Sequence, residues 1–81
     1  MRPFKYTNIW CVHFSPNNNN KYKPVYFDSL EVAEEFSKLK EATTPERKKT
    51  IVTENKSFLI EIRVYKTIED WENKNFYIFL I

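Results

Sequence analysis

Glycine is missing altogether from these 81 residues, and cysteine, histidine and methionine occur once each. Without glycine the chain can form neither a glycine-rich phosphate loop nor a dinucleotide fingerprint, because both bring backbone against a phosphate where a Cβ would clash. Turns that need a positive φ must fall to Asn and Asp, which tolerate it best after glycine. The lone Cys11 has no intramolecular partner, so a disulfide framework is excluded and a reducing, cytoplasmic setting is expected. No apolar run approaches the ~18 residues of a membrane span. The opening MRPFKYTNIW lacks the apolar core of a signal peptide. The expectation is a soluble intracellular protein with no membrane partner. Charge of one sign is also lacking. Thirteen basic against eleven acidic residues leave a net +2, too near neutral to argue for nucleic acid by itself.

What is present is aromatic. Seven Phe, five Tyr and two Trp make 17% of the chain. A chain of this length fits one domain, residues 1–81, and a domain so small is marginal unless its core is dense. Large rings supply that density without disulfides. The richness in Lys, Asn, Ile, Tyr and Phe fits AT-biased coding, as in a low-GC bacterium or a mobile element such as a phage.

Residues 4–14 alternate with period two. Phe4, Tyr6, Trp10, Val12 and Phe14 fall on one face, with Asn8 the exception, and Lys5, Thr7, Ile9, Cys11 and His13 fall on the other. This reads as a strand with one buried face. Ser15, Pro16 and four asparagines end it, and residues 21–27 read as the return strand of a hairpin. Pro24 cannot donate to a ladder, which places that strand at an edge or turns its proline side to solvent.

Asp28-Ser29-Leu30-Glu31 is a helix start, with Asp28 the expected cap and Glu31 its capping-box partner. The helix should run over 29–42, with Val32, Ala33, Phe36 and Leu39 as its apolar stripe and Leu30 at the margin. Thr43-Thr44-Pro45 is a boundary. The following Glu46-Arg47-Lys48-Lys49 has no apolar face and reads as surface. A short strand is expected at 50–54, a two-residue turn at Asn55-Lys56, and a clear strand at 57–65. In that strand Phe58, Ile60, Ile62 and Val64 share one face, and Leu59, Glu61, Arg63 and Tyr65 share the other. Thr67 repeats the capping pattern ahead of a helical turn carrying Ile68 and Trp71. Residues 76–81 are apolar on both faces, the pattern of a central strand covered on both sides or of a strand covered by a partner.

The fold class that follows is α+β: a four- or five-stranded antiparallel sheet with one main helix on one face, in the order β-β-α-β-β-short α-β. Phe4, Trp10, Val12, Phe36, Leu39, Phe58, Ile60 and Ile62 are the expected core.

No pattern of catalytic or metal-ligating residues emerges, and no cofactor is expected. Cys11 and His13 lie two apart on one strand and point the same way, which makes a nucleophile pair sterically conceivable. The bland alternative is a packed cysteine beside a surface histidine. They supply two zinc ligands where a structural site wants four. Glu34-Glu35 and Glu69-Asp70 are adjacent on helices, so their side chains diverge, and both pairs read as solvated or dipole-favoured charges.

Two binding surfaces compete. Ile9, Leu59, Tyr65, Tyr77, Phe79 and Ile81 exceed what one helix can cover, and surplus apolar surface on a small domain marks a partner or self-interface. Lys21, Lys23, Arg47, Lys48 and Lys49, with Tyr22 and Tyr26 nearby in sequence, would make a basic patch for nucleic acid. The leading expectation is a non-enzymatic protein-binding module, such as an inhibitor or accessory protein of a phage or mobile element, a host-defence antagonist being one case. A small nucleic-acid binder is the alternative.

Overall fold

A computed structural model describes residues 4–16, 20–51 and 61–80. Five strands and two helices follow one another as β1 (Phe4–Phe14), β2 (Lys23–Phe27), α1 (Leu30–Lys40), β3 (Glu46–Ile51), β4 (Glu61–Tyr65), α2 (Ile68–Glu72) and β5 (Tyr77–Leu80). The strands form one sheet in the order β3-β1-β2-β4-β5. The architecture is the expected α+β sheet with one main helix, and it is mixed rather than wholly antiparallel. β2 and β4 run parallel, pairing Tyr26 with Val64 and Phe27 with Tyr65. A parallel neighbour needs a long crossover, and α1 with β3 supplies it.

The expected hairpin is present, with Trp10, Val12 and Phe14 opposite Phe27, Val25 and Lys23. β2 is central, not an edge strand. Pro24 is tolerated because the pairing with β4 begins only at Tyr26, which leaves the exposed proline beside a stretch with no ladder on that side. β1 also carries an irregularity. Its register with β3 shifts between Tyr6, opposite Lys49, and Trp10, opposite Arg47. Thr7 fills the break: its hydroxyl donates to the Lys48 carbonyl at 2.9 Å and accepts from the Ile9 amide at 3.4 Å. Asn8, the break in the alternation, lies within this bulge.

Residues 46–49 lie at the surface as expected, and they do so within edge strand β3. An edge strand needs no apolar face; its backbone pairs with β1, and tertiary pairing overrides weak local preference. β5 is the other edge, which removes the central-strand alternative for its two apolar faces. The strand expected at 50–54 is described only to Ile51, and the Asn55-Lys56 turn lies outside the described residues.

α1 is capped one residue later than expected. Ser29, in extended geometry, accepts from the Val32 amide at 3.4 Å, while Asp28 is engaged elsewhere. The helix ends on Glu41 with φ 55°, a left-handed position given to a charged residue in a chain without glycine. Ser37 closes this end by donating to the carbonyls of Ala42 and Thr43 at 3.0 and 2.8 Å. Thr43 then ties the exit to β1 through reciprocal bonds with His13. α2 starts as expected, Thr67 accepting from the Asp70 amide at 3.0 Å.

Both helices pack on the same side of the sheet. Val12, Val25, Phe27, Ala33 and Phe36 form the buried cluster there, with Trp10, Phe14, Val32, Tyr65, Ile68 and Trp71 partly buried around it. Phe36 lies 5.1 Å from Phe27, 5.5 Å from Phe14 and 4.9 Å from Trp71, centroid to centroid, mostly edge-on. Leu39 was expected in this core but is 61% exposed. Trp71 fills the space beyond Phe36, and Lys40 rather than Leu39 reaches over its ring. Ile62 is buried as expected, but on the opposite face, with Ile9 and Val64. Phe58 and Ile60 lie outside the described residues, as does the side chain of Phe4.

Phe36 is fully buried at the meeting point of three rings. Phe36→Ala is therefore expected to cost about 3–5 kcal/mol in chemical denaturation, and Ser29→Ala about 1 kcal/mol through the lost cap. A loss below about 1 kcal/mol for Phe36→Ala would mean that this ring is not the centre of the core.

Candidate functional site

Among the described residues the sheet's second face is built by strands. Its buried residues are Ile9, Ile62 and Val64, with Tyr26, Tyr77 and Phe79 partly buried against them. Among the described residues no helical side chain joins this cluster. Pairing explains the set. Tyr26 stands beside Val64 across the parallel pair, and Val64 and Ile62 stand beside Tyr77 and Phe79 across the β4–β5 pair. Of the six apolar residues singled out in the sequence, this face therefore brings together Ile9, Tyr77 and Phe79. Ile9 is only 2% exposed and acts as the floor of the face rather than its rim. Tyr65 points to the helix side, where it meets Phe27 and Phe76. Leu59 and Ile81 lie outside the described residues.

One polar contact anchors this face. The Tyr77 hydroxyl donates to Asp28 Oδ2 at 2.9 Å, and the Asp28 amide reaches the Tyr65 carbonyl at 3.4 Å. Asp28 thus joins β2 to both β4 and β5. Burial, with the hydrogen bond and negative charge of Asp28 added, pushes the Tyr77 phenol up to about 12.

The two edges of the sheet differ in chemistry. β3 carries Glu46, Arg47, Lys48 and Lys49, the charged pattern that keeps an edge from pairing with another sheet. β5 reads Tyr-Ile-Phe-Leu, with no charge, and its Ile78 is 48% exposed.

The five basic residues expected to form one patch are divided. Arg47 stacks over Trp10 on the helix side at 4.9 Å, and Lys49 lies over Tyr6 at 5.8 Å. Lys48 crosses to the other face, 5.7 Å from the ring of Tyr26. Lys23 lies across β1, opposite Phe14, far along the strand from the Tyr6–Lys49 pair. Lys21 precedes β2 and is exposed. β1 therefore stands between the two groups, and each β3 cation is held on a ring.

Cys11 and His13 share a strand face, but their environments differ. His13 is exposed, whereas Cys11 is half-buried beside Tyr26, and burial raises its thiol pKa despite nearby Lys48. A thiol held protonated is a poor nucleophile. The described residues contain no group of three or more side chains suited to a metal ion, and no helix among them is long and apolar enough to cross a membrane.

Two hollows accompany the sheet. Where β2 and β4 diverge below their short pairing, a hollow of about 520 Å³ opens between Pro24, Tyr26, Ile62 and Arg63. A second hollow of about 520 Å³ lies on the helix side, among Lys40, Arg63, Tyr65, Trp71, Lys74 and Phe76, with Glu72 beside it. Sequence reasoning misses this group because its members come from three elements and the connection between α2 and β5. The one local signal is Trp71, Lys74 and Phe76 within six residues. Comparison of the chain with protein-family models, curated proteins and solved structures gives no match in any of the three.

Two titrations follow. Folding raises the Tyr77 pKa above its ordinary 10, so its contribution to stability is fully present below pH 10 and is lost as pH rises through about 12. An ultraviolet phenolate titration should show Tyr77 titrating late, beside Tyr26, whose phenol pKa is also raised by burial. The Tyr77 component disappears in Tyr77→Phe and moves toward 10 in Asp28→Asn; no change in Asp28→Asn would contradict the anchor. Cys11 should react with a disulfide reagent several-fold more slowly than a free small thiol at about pH 8, and at the free rate once unfolded. Fast reaction in the folded protein would restore it as a nucleophile.

Proposed function

We propose that this chain is a non-enzymatic protein-binding module that docks its partner along the β5 edge and the adjoining strand-only face. The observation that carries the reading is the continuity of the two surfaces. Tyr77 and Phe79 belong to the apolar cluster of that face and at the same time to the uncharged edge strand. A partner strand added to β5 would gain main-chain hydrogen bonds from the edge and side-chain contacts from the face, which is how strand-addition complexes combine affinity with specificity. The contrast with β3 supports this. One edge carries the charges that prevent pairing and the other carries none, although an apolar edge is a hazard unless it is used.

The strand donor is another protein or a second copy of this chain. A small inhibitor or accessory protein of a phage or mobile element, such as an antagonist of host defence, suits the size and the coding bias. Such antagonists work by occupying a surface and need no chemistry of their own. The half-buried, protonated Cys11 thiol argues in the same direction.

Ile78→Lys tests the reading, since Ile78 is exposed at the middle of the edge and outside both buried clusters. Wild-type protein is expected either to self-associate in sedimentation equilibrium or to retain one stoichiometric partner from a low-GC bacterial lysate. The variant should weaken that association at least about tenfold with its circular dichroism unchanged. A wild-type monomer that retains nothing, or an association indifferent to Ile78→Lys, would overturn the proposal. A salt-sensitive mobility shift with DNA or RNA, lost on neutralising Arg47, Lys48 and Lys49, would put a nucleic-acid binder in its place.

A further inference from the structure

The helix-side cleft collects chemistry that neither the core nor the docking edge uses. Lys40 reaches it from the end of α1, Trp71 from α2, Lys74 from the turn after α2, and Arg63 and Tyr65 from β4, with Phe76 just before β5. We propose that this cleft binds a nucleotide, a phosphate joined to a planar base, either free or as one residue of a single strand.

Charge is the first argument. Three cations face one carboxylate, Glu72, in a chain whose entire net charge is +2. Among the described residues none of the three cations has an ion-pair partner; Lys40 and Arg63 rest on aromatic rings instead, at 5.5 Å from Trp71 and 4.7 Å from Phe76. Cation–ring contacts at an exposed site are weak beside the charge-assisted hydrogen bonds that a phosphate offers. The cations are therefore placed, yet free to turn to an anion.

Flat surface is the second argument. Arg63 holds its planar guanidinium over the Phe76 ring at 4.7 Å, and the outer side of that group offers a platform for a base while its N–H edge meets the phosphate. Trp71 is pinned edge-on by Phe14 and Phe36 at 5.5 and 4.9 Å, so the wall of the cleft is rigid before any ligand arrives. Lys74 adds a local cost: it holds φ 59° between Asn73 and Asn75, either of which would suit that conformation better. The volume of about 520 Å³ lies within the range of small-ligand clefts. An acidic peptide would use the cations but leave the stacking surfaces empty, and the paired arrangement of cations and rings favours the nucleotide.

The test is a heteronuclear NMR titration following the Trp71 indole and Arg63 guanidinium signals, with adenosine monophosphate, adenosine, inorganic phosphate, a short oligothymidylate and a short polyglutamate as separate probes. Adenosine monophosphate should shift both signals saturably at or below about 1 mM. Arg63→Gln and Lys74→Asn, the latter chosen because Asn suits the left-handed backbone, should each weaken binding about five- to tenfold while leaving remote amide signals in place. Tighter binding of the oligonucleotide would identify a strand residue as the source, and tighter binding of the mononucleotide a free nucleotide. The proposal is overturned if neither shifts these signals, if adenosine or phosphate alone binds as well as the nucleotide, if polyglutamate binds more tightly, or if both variants bind like wild type. Lys74→Asn, outside β5, should leave the association tested through Ile78 unchanged, so failure at the cleft and failure at the β5 edge are separate results.

Discussion

Two residue pairs hold the sheet together. β1, β2 and β3 form one antiparallel unit and β4 with β5 another, and among the described residues their ladder pairs are Tyr26 with Val64 and Phe27 with Tyr65. A parallel seam this short is weak as a ladder. Its strength comes from what surrounds it. Phe27 and Tyr65 pack at 6.2 Å on the helix side, Tyr26 and Val64 pack on the other, and Asp28 binds Tyr65 through its backbone and Tyr77 through its side chain. The seam is thus clamped from both faces and capped at its end.

Both proposed surfaces depend on this join. The strand-only face exists because Ile9 of the first unit meets Ile62 and Val64 of the second. The cleft exists because the end of α1, which packs on the first unit, comes beside β4, α2 and Phe76. The strand-face cluster and the cleft lie on opposite sides of the sheet. Aromatic side chains make the arrangement economical. A nearly continuous series of ring contacts runs from Phe14 through Trp71, Phe36, Phe27 and Tyr65 to Phe76, and the same rings that fill the core end as a wall of the cleft.

Elements with a strong local signal were legible in the sequence. The alternation of 4–14, the hairpin and the threonine-capped turn at Thr67 all required only neighbouring residues. The helix was legible to within its caps: Asp28 and Ser29 are both good caps, and the choice between them was made by Tyr77, 49 residues away. Placement within the sheet was not legible. β3 lacks an apolar face because an edge strand does not need one, and β5 is apolar on both faces although it too is an edge, with Tyr77 and Phe79 packed in the strand-face cluster and Ile78 exposed. Both patterns invert the usual link between hydrophobicity and centrality. Tyr77 and Phe79 were identified from composition and Ile9 from the alternation of β1, while the face of Tyr65 followed from a parallel register that no local pattern encodes. The cleft stayed hidden for the same reason: Lys40, Arg63 and Lys74 are unremarkable singly, and only the fold makes them neighbours.

The seam is most directly tested by cross-strand nuclear Overhauser contacts in the wild-type protein. The account predicts backbone contacts between Tyr26 and Val64 and between Phe27 and Tyr65 in the parallel pattern, with no close Hα–Hα pairs between those strands. Absence of these contacts, or an antiparallel pattern between β2 and β4, would contradict it and remove the strand-only face and the helix-side cleft together.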